Sequence, residues 1–251
     1  MKHRNKHTQM TGDYGVDAPP VIRNLIFIGV ASISAGILLN SILSSTQSLL
    51  AIILLNWGLL AGISMVVTAA LMIWSSKVGK LKLREQIVDA LALHGDETVL
   101  DVGCGRGLML MAAARRLTTG GAIGIDLWQN ADQSGNHAEA TLANAQIEGV
   151  ANRVDVKTGD MRKLPFADQT IDTVVSSLAI HNIPNKEGPA QAIREIARVL
   201  KPNGQVALLD FQCTGEYIQV LQELGWHETK MSGLQFQMFP PVRVVTGKKP
   251  S

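Results

Sequence analysis

The sequence predicts a doubly wound α/β domain with a mainly parallel, seven-stranded sheet, preceded by a helical hairpin that crosses a membrane. Two observations lead to this fold class. A long stretch near the N-terminus carries no charged residue, and from about residue 80 short apolar runs alternate with amphipathic segments. Such alternation is typical of an open α/β sheet with helices on both faces.

The hairpin is predicted from the absence of Asp, Glu, Lys and Arg between Arg23 and Lys77. Roughly 20 apolar residues in a helix span a bilayer core, and this stretch supplies two such helices, at about residues 25–43 and 49–74. The alternative is a pair of buried core helices, but helices of soluble proteins usually carry a charged face. A cleaved signal peptide would be shorter and would lack the second apolar segment. We therefore expect two transmembrane helices within residues 23–76.

Basic residues flank both predicted spans, whereas the polar turn between them is uncharged. They are Lys2, Arg4, Lys6 and Arg23 before the first span, and Lys77, Lys80, Lys82 and Arg84 after the second. The positive-inside rule places both termini and the α/β domain in the cytoplasm. We expect a polar cytoplasmic tail at 1–22, mobile over its first twenty residues, a linker and leading helix at 77–96, and the α/β domain at 97–251.

The charge balance and the cysteine count argue against several other classes of protein. Of 23 Lys and Arg and 21 Asp and Glu residues, four and two precede the first span, leaving 19 of each sign from Lys77 onward. A neutral domain lacks the basic excess typical of nucleic-acid binding, so no nucleic-acid partner is expected. Cys104 and Cys213 are too few for a disulfide framework. Neither cysteines nor histidines have the spacing of metal ligands, so no metal is expected.

Polar residues follow four of the predicted strands. The strands are ETVLDVG, GAIGID, RVDVKTGD, TIDTVVSSL and QVALLDF, and two more around Ser232-Gly233 are expected to complete the sheet as an antiparallel hairpin. Ligands of such folds bind at the carboxyl ends of the strands. Residues 101–107, Asp126, Asp160 and the segment SSLAIHN all follow strands. The sequence therefore predicts one ligand-binding crevice where the carboxyl ends of these strands meet.

The stretch VLDVGCGRG, residues 99–107, is a glycine-rich turn with a carboxylate at its head. A dinucleotide fingerprint, G-x-G-x-x-G, needs a third glycine at position 108, which is leucine. Asp101 would repel a pyrophosphate but would pair with an ammonium group. The turn therefore favours a ligand that is cationic at this end.

VLDVGCGRG resembles the first motif of class I S-adenosylmethionine-dependent methyltransferases, and the similarity extends through most of residues 80–250. GIDLW, TGDMRKLPF and ARVLKPNGQVALLDF resemble later segments of the family. The resemblance implies a Rossmann-like methyltransferase fold of the type 11, quinone-methyltransferase-like kind, with S-adenosylmethionine as the cofactor.

In that family the glycine turn lies under the methionine part of the cofactor. Asp126 matches the acidic residue that holds the ribose hydroxyls, Asp160 matches the one beside the adenine amine, and Met161 is its apolar neighbour. Asp126 could instead be only a helix cap. The residues expected to bind the cofactor are Asp101, Gly103, Cys104, Gly105, Gly107, Asp126, Leu127, Asp160, Met161 and Ser177.

His181, in LAIHNIP after the fourth strand, is the candidate general base, because histidine titrates near neutral pH. A base is needed only if the substrate that accepts the methyl group, here called the acceptor, must lose a proton. His181 could instead position the substrate or bond to backbone. His137 is expected in the first turn of a helix, and faces the crevice only if that helix turns inward.

The acceptor is predicted from the membrane anchor. Tethering raises the local concentration of the domain near lipid-soluble molecules, so we expect a lipophilic or membrane-associated small molecule, such as a quinone precursor or a lipid. One alternative is a soluble metabolite, with the helices serving assembly or partner binding. The other is a non-catalytic, cofactor-binding scaffold that acts through its hairpin. The sequence predicts no oligomeric state.

Overall fold

The structure is a computed structural model that describes residues 11–43, 49–129 and 135–251. It begins with two long helices, α1 (Pro19–Leu43) and α2 (Leu49–Trp74). By length and composition alone, both are able to cross a membrane. The predicted polar turn at 44–48 lies outside the described residues.

The two helices pack on each other through glycine. A Cβ on Gly29 would lie 2.9 Å from the carbonyl oxygen of Gly62, and one on Gly62 would lie 2.8 Å from that of Gly29. Large apolar side chains point away from this contact, and those of Phe27 and Trp57 are 70% and 69% exposed. The helices therefore bury little of their apolar surface against the rest of the described chain.

No linker separates α2 from the next helix. Ser75–Gly79 form a π-helical turn in which the Lys80 N–H donates to the carbonyl oxygen of Ser75, and α3 (Lys80–Ala90) follows at once. The sequence predicts a linker from residue 77, but this turn keeps the backbone hydrogen-bonded. Helix α2, the turn and α3 therefore form one continuous helical segment, residues 49–90, here called the helical rod.

Residues 11–18 are docked on the domain, so the prediction of a mobile tail is wrong for them; residues 1–10 lie outside the described part of the chain. Tyr14 is 3% exposed. Its hydroxyl donates to the carboxylate of Glu148, and the guanidinium of Arg84 lies 4.7 Å from its ring centroid. A buried aromatic ring with a partnered hydroxyl fixes the segment in place.

The same segment contacts the glycine turn. The carbonyl oxygen of Asp13 accepts hydrogen bonds from Arg106 Nε at 2.7 Å and from Asn144 Nδ2 at 2.9 Å. Arg106 Nη2 also lies 2.9 Å from the Asp13 carboxylate. The residues just before the first apolar helix are thus bonded to the turn that the sequence identifies as a ligand site.

Seven strands form a single sheet in the order β3-β2-β1-β4-β5-β7-β6. They are β1 (Thr98–Val102), β2 (Gly121–Asp126), β3 (Val154–Thr158), β4 (Ile171–Ser177), β5 (Leu200–Asp210), β6 (Glu228–Met231) and β7 (Arg243–Lys248). Strands β1 to β5 are parallel, and β7 is antiparallel to both β5 and β6. The predicted mainly parallel sheet is confirmed, and its last two strands pair antiparallel as expected; only β7 runs against the other six strands.

The last two strands do not form the tight hairpin that is predicted around Ser232-Gly233. They are joined by residues 232–242, here called the β6–β7 loop, in which Gln235 and Val242 still pair. The loop packs on the π-helical turn. The Phe239 N–H donates to Ser75 Oγ at 2.9 Å, and a Cβ on Gly79 would overlap the carbonyl oxygen of Gln237. Packing against the helical rod decides this connection rather than local turn chemistry.

The remaining helices cover both faces of the sheet. They are α4 (Leu108–Ala114), α5 (Ala138–Ile147), α6 (Gly188–Val199) and α7 (Thr214–Glu223). Buried residues of α3, α4 and α5 form one apolar cluster, and those of α6 and α7 form the other. Since β1 to β5 are parallel, their carboxyl ends meet at one edge of the sheet, as the doubly wound fold requires.

Candidate functional site

A cavity of about 490 Å³ opens at the carboxyl edge of the sheet. This volume is within the range of small-molecule and cofactor sites. The structure brings together here the residues predicted to bind the cofactor, except Gly107, and the candidate base. They are Asp101, Gly103, Cys104, Gly105, Asp126, Leu127, Asp160, Met161, Ser177 and His181.

Asp101, near the end of β1, is a buried carboxyl group with one unpartnered oxygen. Its Oδ2 accepts a hydrogen bond from the Leu110 N–H at 2.8 Å, while Oδ1 has no partner among the described residues. Burial raises the pKa of Asp101 to about 8, and the charge of Asp126 adds to this. An unpartnered oxygen in a cavity wall is suited to a cationic group, which would supply the interaction that burial has removed.

Gly103 allows two parts of the chain to approach each other. It has a φ of +69°, and a Cβ there would lie 2.2 Å from the Cβ of Ala179 and 3.2 Å from the ε-methyl group of Met161. The side chain is therefore excluded by the segment after β4, rather than by a ligand. Met161 thus lies beside the glycine turn, at the cavity wall.

Gly107 has a different role from the one predicted. It is the N-cap residue of α4, with a φ of +84°, and it does not line the cavity as the structure describes it. A Cβ there would lie 2.7 Å from the ε-methyl group of Met111 and 3.0 Å from the γ-methyl group of Thr141. Gly107 permits the turn into α4, and the turn then presents Gly103 and Gly105 to the cavity.

Asp126, at the end of β2, connects its strand to the glycine turn. Its Oδ2 accepts a hydrogen bond from the Gly105 N–H at 2.8 Å, and Oδ1 accepts from the Trp128 N–H at 2.6 Å. Asn136 Nδ2 lies 3.3 Å from the same Oδ1. These bonds hold the carboxylate at the cavity wall.

The alternative interpretation of Asp126 as a helix cap is wrong, because His137 is the N-cap residue of α5. Its Nδ1 accepts a hydrogen bond from the Ala140 N–H at 3.2 Å. Capping turns the His137 ring toward its own helix, and it is not among the residues that line the cavity.

Asp160 is engaged by a neighbour that sequence reasoning missed. Arg162 donates to both of its oxygens, with Nε 3.0 Å from each and Nη2 2.6 Å from Oδ2. The hydrogen bond from Arg162 lowers the pKa of the Asp160 carboxyl group. An adenine amine that contacts Asp160, as the resemblance implies, would therefore share this carboxylate with Arg162.

Cys104 is a buried side chain in a crowded turn. A Cβ on Gly124 would lie 2.7 Å from its Sγ, and burial raises the pKa of its thiol well above the ordinary value. Thiolate is the reactive form of cysteine, so Cys104 contributes packing rather than a nucleophile.

His181 lies in the 3₁₀ turn Ile180–Asn182 that follows β4. Its Nδ1 is 2.8 Å from Oδ1 of Asp210, although the ring is not aligned for a hydrogen bond. Phe211 packs edge-on against the imidazole, with ring centroids 4.5 Å apart. Asp210 is not among the residues predicted from the sequence, although it ends the fifth strand as Asp126 ends the second.

Asp210 is itself fixed by hydrogen bonds. It is 1% exposed, and its Oδ2 accepts from the Tyr217 hydroxyl at 3.0 Å, while the Phe211 N–H donates to Oδ1 at 2.8 Å. Burial and the charge of Asp210 raise the pKa of Tyr217. The tyrosine therefore keeps its proton and holds the carboxylate in place.

The cavity also reaches the base of the apolar hairpin. Asp17 and Ala18, directly before α1, and Lys80, at the start of α3, line it. Lys80 Nζ donates to Asp17 Oδ1 and to the Tyr14 carbonyl oxygen, each at 2.9 Å. These residues join the two ends of the hairpin to the wall of the predicted cofactor site.

Within the parts of the chain that the structure describes, no group of three or more His, Cys, Asp or Glu side chains is placed to hold a metal ion.

Residues 100–208 match the family model described as "Methyltransferase domain". The chain is 29% identical over 160 residues to a demethylmenaquinone methyltransferase of Lactobacillus johnsonii, covering 62% of this chain and 57% of that one. It is 30% identical over 134 residues to a sterol 4-C-methyltransferase of Caenorhabditis elegans, covering 52% and 36%. The chain spans about half the length of the curated relatives it matches.

Among solved structures, a SAM-dependent methyltransferase from Aquifex aeolicus aligns with a TM-score of 0.55 and 20% identity, covering 68% of this chain and 93% of that one. This likeness shows the fold. With the sequence matches, it supports the methyltransferase domain and the S-adenosylmethionine cofactor that the resemblance implies.

Proposed function

We propose that this protein is a membrane-anchored, S-adenosylmethionine-dependent methyltransferase that acts on a lipophilic small-molecule acceptor. One observation carries the proposal: a single cavity is lined by the glycine turn, by His181 and by residues at both ends of the apolar hairpin. A molecule dissolved in the bilayer would thus meet the cofactor site at the point where the chain leaves the membrane.

The residues of the cavity fit the cofactor. The unpartnered Oδ1 of Asp101 suits the ammonium of an amino-acid group, and the turn around Gly103 presents backbone at the same wall. Asp126 lies at the end of the neighbouring strand, where it would face the ribose. S-adenosylmethionine supplies a methyl group that its sulfonium makes electrophilic, so the main task of the protein is to orient the acceptor.

His181 would remove a proton from the acceptor as the new bond forms. Its Nδ1 faces Asp210, which leaves Nε2 as the nitrogen that would accept the proton. Asp210 acts as a positioning residue that would stabilise the imidazolium. Phe211, Ile183 and Pro184 add an apolar part to the same wall, as a lipophilic acceptor requires.

The anchor is proposed from the two apolar helices. Their outward side chains are exposed along α1 and α2, and large exposed apolar patches mark membrane or protein contacts. Basic residues at both ends of the hairpin support a cytoplasmic location for the termini and the α/β domain. The named substrates of the two curated relatives, a quinone and a sterol, are also lipid-soluble.

The test uses membranes from cells that produce the full chain, incubated with methyl-labelled S-adenosylmethionine. We expect label in the lipid extract, and none above background with Asp101→Asn, which removes the proposed partner of the cofactor. Leu142→Ala, an exposed position on α5, is the control that should retain the parental signal.

The distribution of label separates the alternatives. Label in the aqueous pool would indicate a soluble acceptor and overturn the lipophilic one. Label in neither fraction, with no binding of the cofactor to the purified protein, would overturn the proposed activity itself.

A further inference from the structure

The β6–β7 loop carries an apolar surface that the fold does not cover. Residues 232–242 contain no Asp, Glu, Lys or Arg. Phe236 is 71% exposed and Leu234 is 47% exposed, and Met231, directly before the loop, is 43% exposed. The side chain of Met238, by contrast, is buried and fixes the loop to the domain. The three exposed side chains are here called the loop patch.

The position of the loop relative to the hairpin is fixed by direct contacts. Its backbone packs on the π-helical turn at Gly79, and it bonds to Ser75 through the Phe239 N–H. Gln237 Nε2 also lies 3.1 Å from Gln86 Oε1 on α3. Phe236 directly precedes Gln237 in the chain, so its backbone lies next to this contact.

This contact lies at the depth of the lipid headgroups if α2 spans the bilayer. The 26 residues of α2 extend about 39 Å at 1.5 Å per residue, which exceeds a hydrocarbon core of roughly 30 Å. Trp74 therefore lies near the membrane interface, and the turn that follows it lies among the headgroups. Lys230 and Arg243 bracket the loop, as basic residues commonly flank interfacial segments.

We propose that the loop patch inserts into the cytoplasmic leaflet as a third contact with the membrane. Aromatic and aliphatic side chains bury in the headgroup and acyl boundary, where basic neighbours meet anionic lipid. With the hairpin, this contact would hold the domain in one orientation, with its cavity at the membrane surface. The inference rests on the proposed membrane anchor, but the hairpin could anchor the protein without any contact between the loop patch and lipid.

The experiment places a fluorescent label on the loop of the full chain in liposomes. Phe236→Cys is made in a Cys213→Ser background, and the parent without the new cysteine reports any labelling of the buried Cys104. The matched control is Leu142→Cys, whose native side chain is 41% exposed on α5, beside the opposite edge of the sheet from β6. Quenching is measured with lipids brominated near the glycerol end of their acyl chains.

We expect lipid quenching of the Phe236 label to exceed that of the Leu142 label by at least about twofold, because interfacial side chains lie roughly 5–10 Å into this boundary. Equal, weak quenching of both labels in protein that resists alkaline extraction would overturn the loop contact and leave the anchor standing. Release of the protein by alkaline extraction would instead overturn the anchor. A loop label shielded from both lipid and water would indicate a protein partner and also overturn the proposal.

Discussion

Nδ1 of His181 lies 2.8 Å from Oδ1 of Asp210, although His181 follows β4 and Asp210 ends β5. Strands β4 and β5 are neighbours, and Ser177 pairs with Leu209 at their carboxyl ends. The short turn after β4 brings the imidazole back over the end of β5. The result is a histidine beside a buried carboxylate in the wall of a cavity, an arrangement suited to proton transfer.

We expect His181→Ala to lower kcat by about 10²–10⁴-fold, because a positioned general base contributes this much, while the affinity for S-adenosylmethionine changes little. The measurement is turnover on the acceptor found by methyl labelling, with cofactor binding measured by calorimetry. Unchanged kcat would mean that His181 only lines the site.

Asp210→Asn tests the positioning role separately. If Asp210 acts through the histidine as proposed, this variant should lower kcat less than His181→Ala does, and combining the two changes should add nothing to the loss. Tyr217→Phe retains the His181–Asp210 pair and serves as the control for loss of one hydrogen bond to Asp210. Additive effects of the two main variants would contradict the pairing.

The sheet and the cluster of polar residues at its edge were predictable, because both follow from local patterns. Buried strands alternate with amphipathic helices, and parallel strands bring their carboxyl ends together. Asp101 and Asp126 could therefore be assigned to one cavity from the sequence alone. The same logic applied to QVALLDF would have found Asp210.

Other features have no local signal in the sequence. Residues 11–18 dock through Asp13 and Tyr14 onto Asn144 and Glu148, more than a hundred positions away, and such contacts leave no periodicity. The long β6–β7 loop depends likewise on packing against the helical rod. Tertiary contacts, rather than turn propensity, decide both.

Asp101→Asn should remove a pH dependence of stability in the cofactor-free protein. The Asp101 carboxyl group keeps its proton in the folded state up to about pH 8, whereas in the unfolded chain it ionises near its ordinary pKa of 3.8. Between these values the folded state binds more protons, so stability falls as pH rises, by up to about 1.4 kcal/mol per unit. The amide of asparagine does not titrate.

The measurement is the unfolding midpoint of detergent-solubilised protein at several pH values between about 5 and 8. Asp101→Asn should show a smaller decrease than the parent and a higher midpoint near pH 8. Asp155→Asn, at an exposed position on β3, should follow the parent. Parallel curves for parent and Asp101→Asn would show that Asp101 is ionised in the folded protein.

Binding of S-adenosylmethionine should release a proton below about pH 8. A cation beside Asp101 favours the ionised carboxylate. The carboxyl group, which burial keeps protonated in the free protein, therefore releases its proton to solvent when the cofactor binds. Calorimetry in two buffers of different ionisation enthalpy counts the protons. At about pH 6.5 the ligand ammonium stays protonated, because α-amino groups titrate near 7.7–8.0.

We expect up to about one proton released per cofactor bound, and a correspondingly weaker affinity as pH falls. 5′-Methylthioadenosine lacks the amino-acid group and should release none. The same proton count for both ligands would mean that Asp101 does not face the ammonium.

Gly103→Ala and Gly149→Ala form a matched pair that separates backbone strain from steric exclusion. Both glycines have positive φ, +69° and +71°, so alanine at either position carries a left-handed penalty of about 1–2 kcal/mol. A Cβ on Gly149 meets nothing within 4 Å, whereas one on Gly103 lies 2.2 Å from the Cβ of Ala179. Gly103→Ala should therefore destabilise the protein by a further 1–3 kcal/mol or so, as overpacking does, and should weaken cofactor binding, while Gly149→Ala retains it. The measurements are the unfolding midpoints and the calorimetric cofactor affinities of the two full-length variants. Equal destabilisation of the two would show that the segment after β4 moves to accommodate the methyl group and does not hold the glycine turn in place.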